Sequence, residues 1–367
     1  MSGALSRRTL AAAAGLALVV GAVYALTSPG RIDMYDGQLR YEVTQNLLDH
    51  GRPFMLDPVI TRAGAAGPDG HVYMTYSAGA SITALPFVWL ADHTGRSTTA
   101  RRHVFFTLVA PVAGALLAAL LFAFYLTLGL SLRGALAWTG VNAFATLTWW
   151  YATSTFDQLQ HALLILLAVF LGYRAGLRGS AGLAAAGGLV AGLLLNFQET
   201  YALILPFLAL ATLGGRRDDG AWWPDARAWG RYAAFLAACT VGLGLALAYN
   251  AWRFGSPLST GKLGGTMQLL EGTLFGLSVL LASPGKSVLL FSPPIVLAAF
   301  GLTRLARERR WLAAAVIGAT GIHTLFVASL AFVSGDPCWG PRYLVPVLPL
   351  LALAFPFHGL VGRRRWL

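Results

Sequence analysis

The chain has 367 residues, of which 56% are hydrophobic and only 11% charged, and it carries a net charge of +12. With a mean hydropathy of +0.63, this composition excludes a soluble globular domain and marks an all-α polytopic membrane protein, read as one domain over 1–367. The isoelectric point near 10.2 needs no nucleic-acid partner, because basic residues collect on cytoplasmic loops against anionic headgroups and no nucleic-acid recognition motif is present.

In chain order, the first apolar run, Thr9 to Thr27, is long enough to cross the bilayer. Ser6-Arg7-Arg8-Thr9-Leu10 resembles a twin-arginine export signal. The run has full-span length, however, and Leu26-Thr27-Ser28 is a poor cleavage site, so a signal anchor is expected. Residues 29–102 then form a large first extracytoplasmic loop with seven acids. It opens with Arg31-Ile32-Asp33-Met34-Tyr35-Asp36-Gly37-Gln38-Leu39-Arg40-Tyr41, placing two carboxylates where the chain should leave the bilayer. Tyr41 to Leu48 has a helical pattern stopped by Gly51 and Pro53. Gly67-Pro68-Asp69-Gly70 marks a turn. Ala80 to Ala91, interrupted by Pro86, is too short to span and is expected along the interface. Leu274 to Ala282 reads the same way.

Further spans are expected at Val104–Leu128, Ala135–Ala152, Tyr232–Tyr249, Ser287–Thr303, Trp311–Val333 and Tyr343–Leu360. The shorter Leu159–Tyr173, Ala181–Leu195 and Tyr201–Leu213 bring the total to about ten transmembrane helices. With both termini cytoplasmic, sixteen basic residues and four acids fall inside, and eleven of each fall outside, so the whole net charge lies inside. The inner set includes Arg216, Arg217, Asp218, Asp219, Arg363, Arg364 and Arg365, with Trp222 and Trp223 in one of the inner loops. The loop 29–102 and the segments 250–286 and 334–342 therefore share the outer face.

These segments hold the candidate functional residues. Asp33 and Asp36 stand in the first loop, Arg253 and Lys286 in the second, and Arg342 with Tyr343 in the third, which begins near Asp336-Pro337-Cys338. Asp157 and Glu199 sit beside span ends, where an ionisable residue is a functional candidate unless solvent reaches it. Each candidate has a plainer reading. Asp33 could cap a turn, Arg40 could pair with a nearby loop carboxylate, Tyr41 could anchor at the interface, and Arg342 or Lys286 could snorkel toward headgroups. Trp149, Trp150 and Tyr151 suit an aromatic belt. Cys239 and Cys338 fall at different levels, so no disulfide is expected. The seven histidines show no zinc-ligand spacing.

The chain resembles the C-type glycosyltransferase (GT-C) superfamily, polytopic enzymes that take sugars from polyprenyl-phosphate carriers. The resemblance rests on Asp36, Arg40, Tyr41 and Gly51 in the first loop, then Tyr249-Asn250, Arg253-Phe254-Gly255-Ser256-Pro257 with Gly261. Ser283-Pro284-Gly285-Lys286 and Trp339-Gly340-Pro341-Arg342-Tyr343 complete it and are similar to a bacterial subgroup. The resemblance implies an inverting transferase at the outer face of a bacterial plasma membrane. Asp36 would be the base, Arg342, Arg253 and Lys286 would hold the departing phosphate, and an envelope glycan, lipid or protein would accept the sugar. Many relatives follow this acid directly with Glu, whereas here Gly37 follows Asp36, and Asp33 is the candidate for the second carboxylate. Some members use a divalent cation, and for Mg²⁺ or Mn²⁺ the hard oxygen ligands here would be Asp33, Asp36 and Asp157, although no metal motif is present. The competing functions are a non-catalytic transporter or flippase, and a scaffold subunit, for lipid-linked saccharides.

Overall fold

A computed structural model describes residues 7–55, 63–214, 223–262, 272–335 and 338–358. The expectations for Arg216, Arg217, Asp218, Asp219, Trp222, Asp336, Pro337 and the Arg363–Arg365 cluster lie outside the described residues. The protein is an all-α polytopic membrane protein with one small hairpin. Among the described residues, five helices are long and apolar enough to cross a membrane. They are α1 (Arg7–Thr27), the continuous run of α4 (Thr99–Thr107) and α5 (Val109–Thr127), α8 (Gln158–Arg178), α11 (Ala226–Phe254) and α15 (Arg310–Ala328).

The other expected spans are shorter or broken, and proline accounts for most of the breaks. The Ala135–Ala152 run divides into α6 (Leu132–Phe144) and α7 (Thr148–Ala152), and α9 covers Ala181–Leu193. Tyr201–Leu213 becomes 3₁₀ turns around α10 (Leu205–Ala209), which carries Pro206 in its first turn. Ser287–Thr303 divides at Ser292-Pro293-Pro294 into α13 (Val288–Phe291) and α14 (Ile295–Glu308). The final run is a 3₁₀ helix over Arg342–Val347, α16 (Leu348–Ala352) and a last 3₁₀ turn, broken by Pro346, Pro349 and Pro356. Proline lacks the N–H that a continuous helix needs. Irregular backbone at membrane depth is tolerated when protein covers it. Ile204, Leu208, Ala211, Val345, Leu348 and Leu350 are accordingly buried.

Two devices hold the bundle. Small residues bring α9 against α11: a Cβ added to Gly192 would stand 2.6 Å from the Cys239 carbonyl oxygen, and one on Gly242 2.1 Å from Gly192. Such close backbone approach replaces the hydrophobic drive that lipid-facing helices lack. Buried tyrosines add interhelical hydrogen bonds, from Tyr24 to the Ala143 carbonyl at 2.9 Å and from Tyr125 to that of Ala352 at 2.7 Å.

The first loop folds over one end of the bundle. Its helix α2 spans Tyr35–His50, beginning six residues before the expected start, and ends at Gly51 in the left-handed region (φ 68°). Asp36 is therefore in its first turn and Arg40 one turn on. The Gly67–Gly70 turn joins β1 (Gly64–Ala66) to β2 (Val72–Met74) in an antiparallel hairpin, with Gly64 opposite Met74. α3 (Gly79–His93) follows. Arg102 ties these parts together, reaching Asp49 at 3.0 Å and Asp92 at 2.8 Å. α11 runs on through Asn250 to Phe254, so the start of the expected 250–286 loop is helical. α12 (Thr273–Ala282) completes the elements.

Candidate active site

The first turn of α2 presents Asp36 to a cavity of about 290 Å³ at the loop end of the bundle. The Asp36 carboxylate accepts from the Tyr76 hydroxyl at 3.1 Å and from Arg342 Nη1 at 3.1 Å. Arg342 comes from the 3₁₀ helix beyond α15. It is 7% exposed, with its guanidinium 4.7 Å above the Phe156 ring and its Nη2 donating to the Tyr343 hydroxyl at 2.9 Å. Burial, then the Asp36 charge, pushes the Tyr76 hydroxyl up, so it stays a donor at neutral pH.

One helical turn after Asp36, Arg40 lies 5.2 Å above the Tyr76 ring and pairs with Asp157 at 2.9 Å. Asp157 directly precedes α8 and is 4% exposed, so the solvated reading fails for it. Burial alone would raise its carboxyl pKa, but Arg40 and His161 more than offset this and hold it well below the usual carboxylate range. His161 Nε2 stands 3.2 Å from Asp157, and its Nδ1 stands 2.8 Å from the Tyr201 hydroxyl. Tyr201 stacks on His323, whose Nε2 lies 2.7 Å from the Tyr343 carbonyl oxygen and therefore donates to it. Gln158, Gln198, Thr200 and Lys262 add polar lining, and Phe326, Val327 and Leu330 form an apolar side.

Of the sequence candidates, the cavity wall thus gathers Asp36, Arg40, Asp157, Arg342 and Tyr343. The others do not line it. Asp33 accepts from Ser154 Oγ and the Thr155 amide, each at 2.9 Å, and from Thr155 Oγ1, which fixes the start of the loop to the turn before α8. Arg253 is a correction to the phosphate-binding expectation. It is fully buried and donates to the carbonyls of Met74 and Tyr76 and to Asn250 Oδ1, so its hydrogen atoms hold the end of β2 and the bend after it that carries Tyr76. Glu199 accepts from Ser77 at 2.9 Å and faces Lys262 at 3.2 Å. Lys286 donates to the Cys338 carbonyl at 2.7 Å and lies 3.3 Å from its sulfur. Arg40 pairs not with a loop acid but with Asp157, and Tyr41 is buried edge-on to His103 and Phe106 rather than anchored at an interface. Trp149 is 38% exposed, and Tyr151 is buried with its hydroxyl on the Trp339 carbonyl.

Tyr76, Tyr201 and His323 were not legible as site residues. His161 carried one signal, standing four residues after Asp157 on a helix, where side chains face each other.

The three carboxylates considered for Mg²⁺ or Mn²⁺ do not fit such an ion. No three His, Cys, Asp or Glu side chains converge among the described residues. Asp36 and Asp157 are each already paired with a guanidinium, and Asp33 with hydroxyl and amide donors.

A second, apolar groove of about 610 Å³ runs along Ile82, Phe87, Leu116, Leu164 and Leu193. The Thr83 hydroxyl donates to Gln160 Oε1 at 2.8 Å on its lining.

No family model matches the chain, and no curated protein matches it. Among solved structures, the apo crystal structure of the Archaeoglobus fulgidus oligosaccharyltransferase shares its fold, with a TM-score of 0.54 and 12% identity. The likeness covers 97% of this chain and 51% of that one, so the present chain spans about half the length of the archaeal protein.

Proposed function

We propose, from the fold shared with an oligosaccharyltransferase and from the chemistry of the cavity, that the protein is an inverting GT-C glycosyltransferase. It moves a sugar from a polyprenyl-phosphate donor to a hydroxyl-bearing acceptor in the envelope. The observation that carries this reading is the contact of Asp36 with Arg342 at 3.1 Å in a polar cavity at the end of an apolar bundle. A base for a hydroxyl and a cation for a phosphate are then within one contact of each other.

The reaction needs few parts. The donor phosphate takes hydrogen bonds from Arg342, which releases Asp36. The acceptor oxygen attacks the anomeric carbon from the side opposite the phosphate, so the configuration inverts. As the new carbon–oxygen bond forms, Asp36 accepts the hydroxyl proton, and the phosphate leaves with the electrons of the old bond. Arg342 meets the charge that grows on the leaving oxygen, as a bidentate guanidinium does well. Tyr76 orients Asp36. The apolar groove offers room for an isoprenoid chain. With positive charge kept inside, the cavity faces outward from a bacterial plasma membrane and both termini face the cytoplasm.

The test compares a deletion strain complemented with wild type or Asp36→Asn, reading polyprenyl-phosphate sugars and envelope glycans by mass spectrometry. The expected result is that one lipid-linked sugar accumulates, one glycan loses a residue, and wild type alone reverses both. Full rescue by Asp36→Asn would remove Asp36 from the chemistry and turn the reading toward transport or scaffolding.

A further inference from the structure

We infer that Lys262 is a second cation for the phosphate of the lipid donor, placed where the apolar groove meets the polar cavity; this rests on the transferase reading above. Among the described residues, Arg40, Arg342 and Lys262 are the cations that line the cavity. The side chains of Arg40 and Arg342 are closely packed, 9% and 8% exposed, against 23% for Lys262. An ammonium group carries three donors. Lys262 directs one of them to Glu199 Oε2 at 3.2 Å, so the others can serve a ligand.

The chain places this ammonium at a border. Tyr76 lines the cavity and Ala78 the groove, with Ser77 between them. On the facing segment, Phe197 lines the groove and Gln198 the cavity. The two segments touch, since a Cβ added to Gly79 would lie 2.6 Å from the Asn196 carbonyl oxygen. Ser77 Oγ donates to Glu199 Oε1 at 2.9 Å across them, and Phe197 stands edge-on to His161 of the cavity wall at 5.4 Å. Glu199 therefore ties Lys262 to the seam between the two spaces. A substrate with its hydrocarbon chain in the groove and its phosphate in the cavity crosses that seam.

The chemistry calls for a second cation. In the donor the phosphate is a diester with a single negative charge, and once the sugar has left it is a monoester carrying about −1.5 to −2 at neutral pH. Arg342 alone offsets only one of these charges. Arg40 is held by Asp157 at 2.9 Å, and Arg253 and Lys286 turn to backbone carbonyls and do not line the cavity. Lys262 is left. Both it and Arg342 line the same space of about 290 Å³, at the small end of ligand pockets. Its flexible stem lets the ammonium turn from Glu199 toward a phosphate there.

The test uses full-length protein in lipid nanodiscs, with dissociation constants measured for farnesyl phosphate and for inorganic phosphate. Lys262→Met should weaken farnesyl phosphate binding about tenfold or more, the worth of one charge-assisted hydrogen bond, with an unchanged unfolding temperature showing that it folds. Lys262→Arg should restore most of the affinity. The double variant Lys262→Met, Glu199→Gln should stay as weak as Lys262→Met, because removing the uncovered carboxylate does not replace the cation. Inorganic phosphate should bind wild type far more weakly than farnesyl phosphate, having no chain for the groove. The inference is overturned if Lys262→Met binds farnesyl phosphate like wild type, or if the double variant regains wild-type affinity, which would trace the loss to repulsion by Glu199. Equally tight binding of inorganic phosphate would overturn it too, since the site would then serve free phosphate. In those cases farnesyl phosphate binding that is lost in Arg342→Gln leaves the transferase reading standing. Equal farnesyl phosphate binding by wild type and Arg342→Gln removes the phosphate site and both readings with it.

Discussion

Asp157 and Arg253 are both charged and buried, but they predict different failures. Asp157→Asn leaves the Arg40 guanidinium without its counter-charge and should cost about 3–5 kcal/mol of stability at neutral pH. The carboxyl pKa of Asp157 is depressed in the folded state. Its contribution is thus present above the unfolded value of about 3.9 and is lost as pH falls below that toward the folded value. Thermal unfolding of wild type and Asp157→Asn should converge as pH drops below about 4; a constant gap would show that the charge is not responsible. Arg253→Met removes the donors to the Met74 and Tyr76 carbonyls. It should lower stability by about 1–3 kcal/mol and also slow turnover, because Tyr76 loses its support. Tyr76→Phe should slow turnover with little loss of stability, a difference that separates positioning from folding. The sequence singled out Asp36 and Arg342, which meet at the cavity, because each stands where a polar segment meets an apolar run. Arg253 stands in the same kind of place but turns to the Met74 and Tyr76 carbonyls, at the end of a hairpin whose short strands leave almost no pattern in the sequence.

At the scale of elements, the runs at Thr9–Thr27 and Tyr232–Tyr249 became single helices, and even Leu159–Tyr173, which looked short, is the core of the 21-residue α8. The runs containing Pro206, Pro293-Pro294, Pro346 and Pro349 kept their apolar character but not their continuity. Hydropathy reports burial and cannot distinguish burial in lipid from burial in protein, which is why the expected spans were more uniform than the elements that form. The start of α2 was missed for another reason: Tyr35 to Arg40 is polar and shows no apolar stripe, and tertiary contacts supply its order. Gly37 shows this directly, because a Cβ there would lie 2.3 Å from Thr155 Oγ1. The same contact explains why no glutamate follows Asp36. Gly37→Ala should push the α2 start from the 154–155 turn and weaken complementation of the deletion strain; full complementation would mean that this turn yields freely. Gly192→Leu should wedge α9 from α11 and cost about 1–3 kcal/mol, read as a lowered unfolding temperature.

Across the whole molecule, the loop end is a layer of helices and a hairpin laid over the apolar bundle, with the polar cavity between them. Arg102 joins this layer to the bundle through Asp49 and Asp92. Arg102→Met should leave the bundle intact and expose residues 29–102 to limited proteolysis. Asp36 and Arg342 are 306 residues apart in the chain yet meet within one hydrogen bond. Synthesis proceeds from the first toward the second, so a ribosome that has delivered every helix through α15 has still not delivered a complete site. On the proposed function, a product truncated before Arg342 lacks half of the base–cation pair and should be inactive.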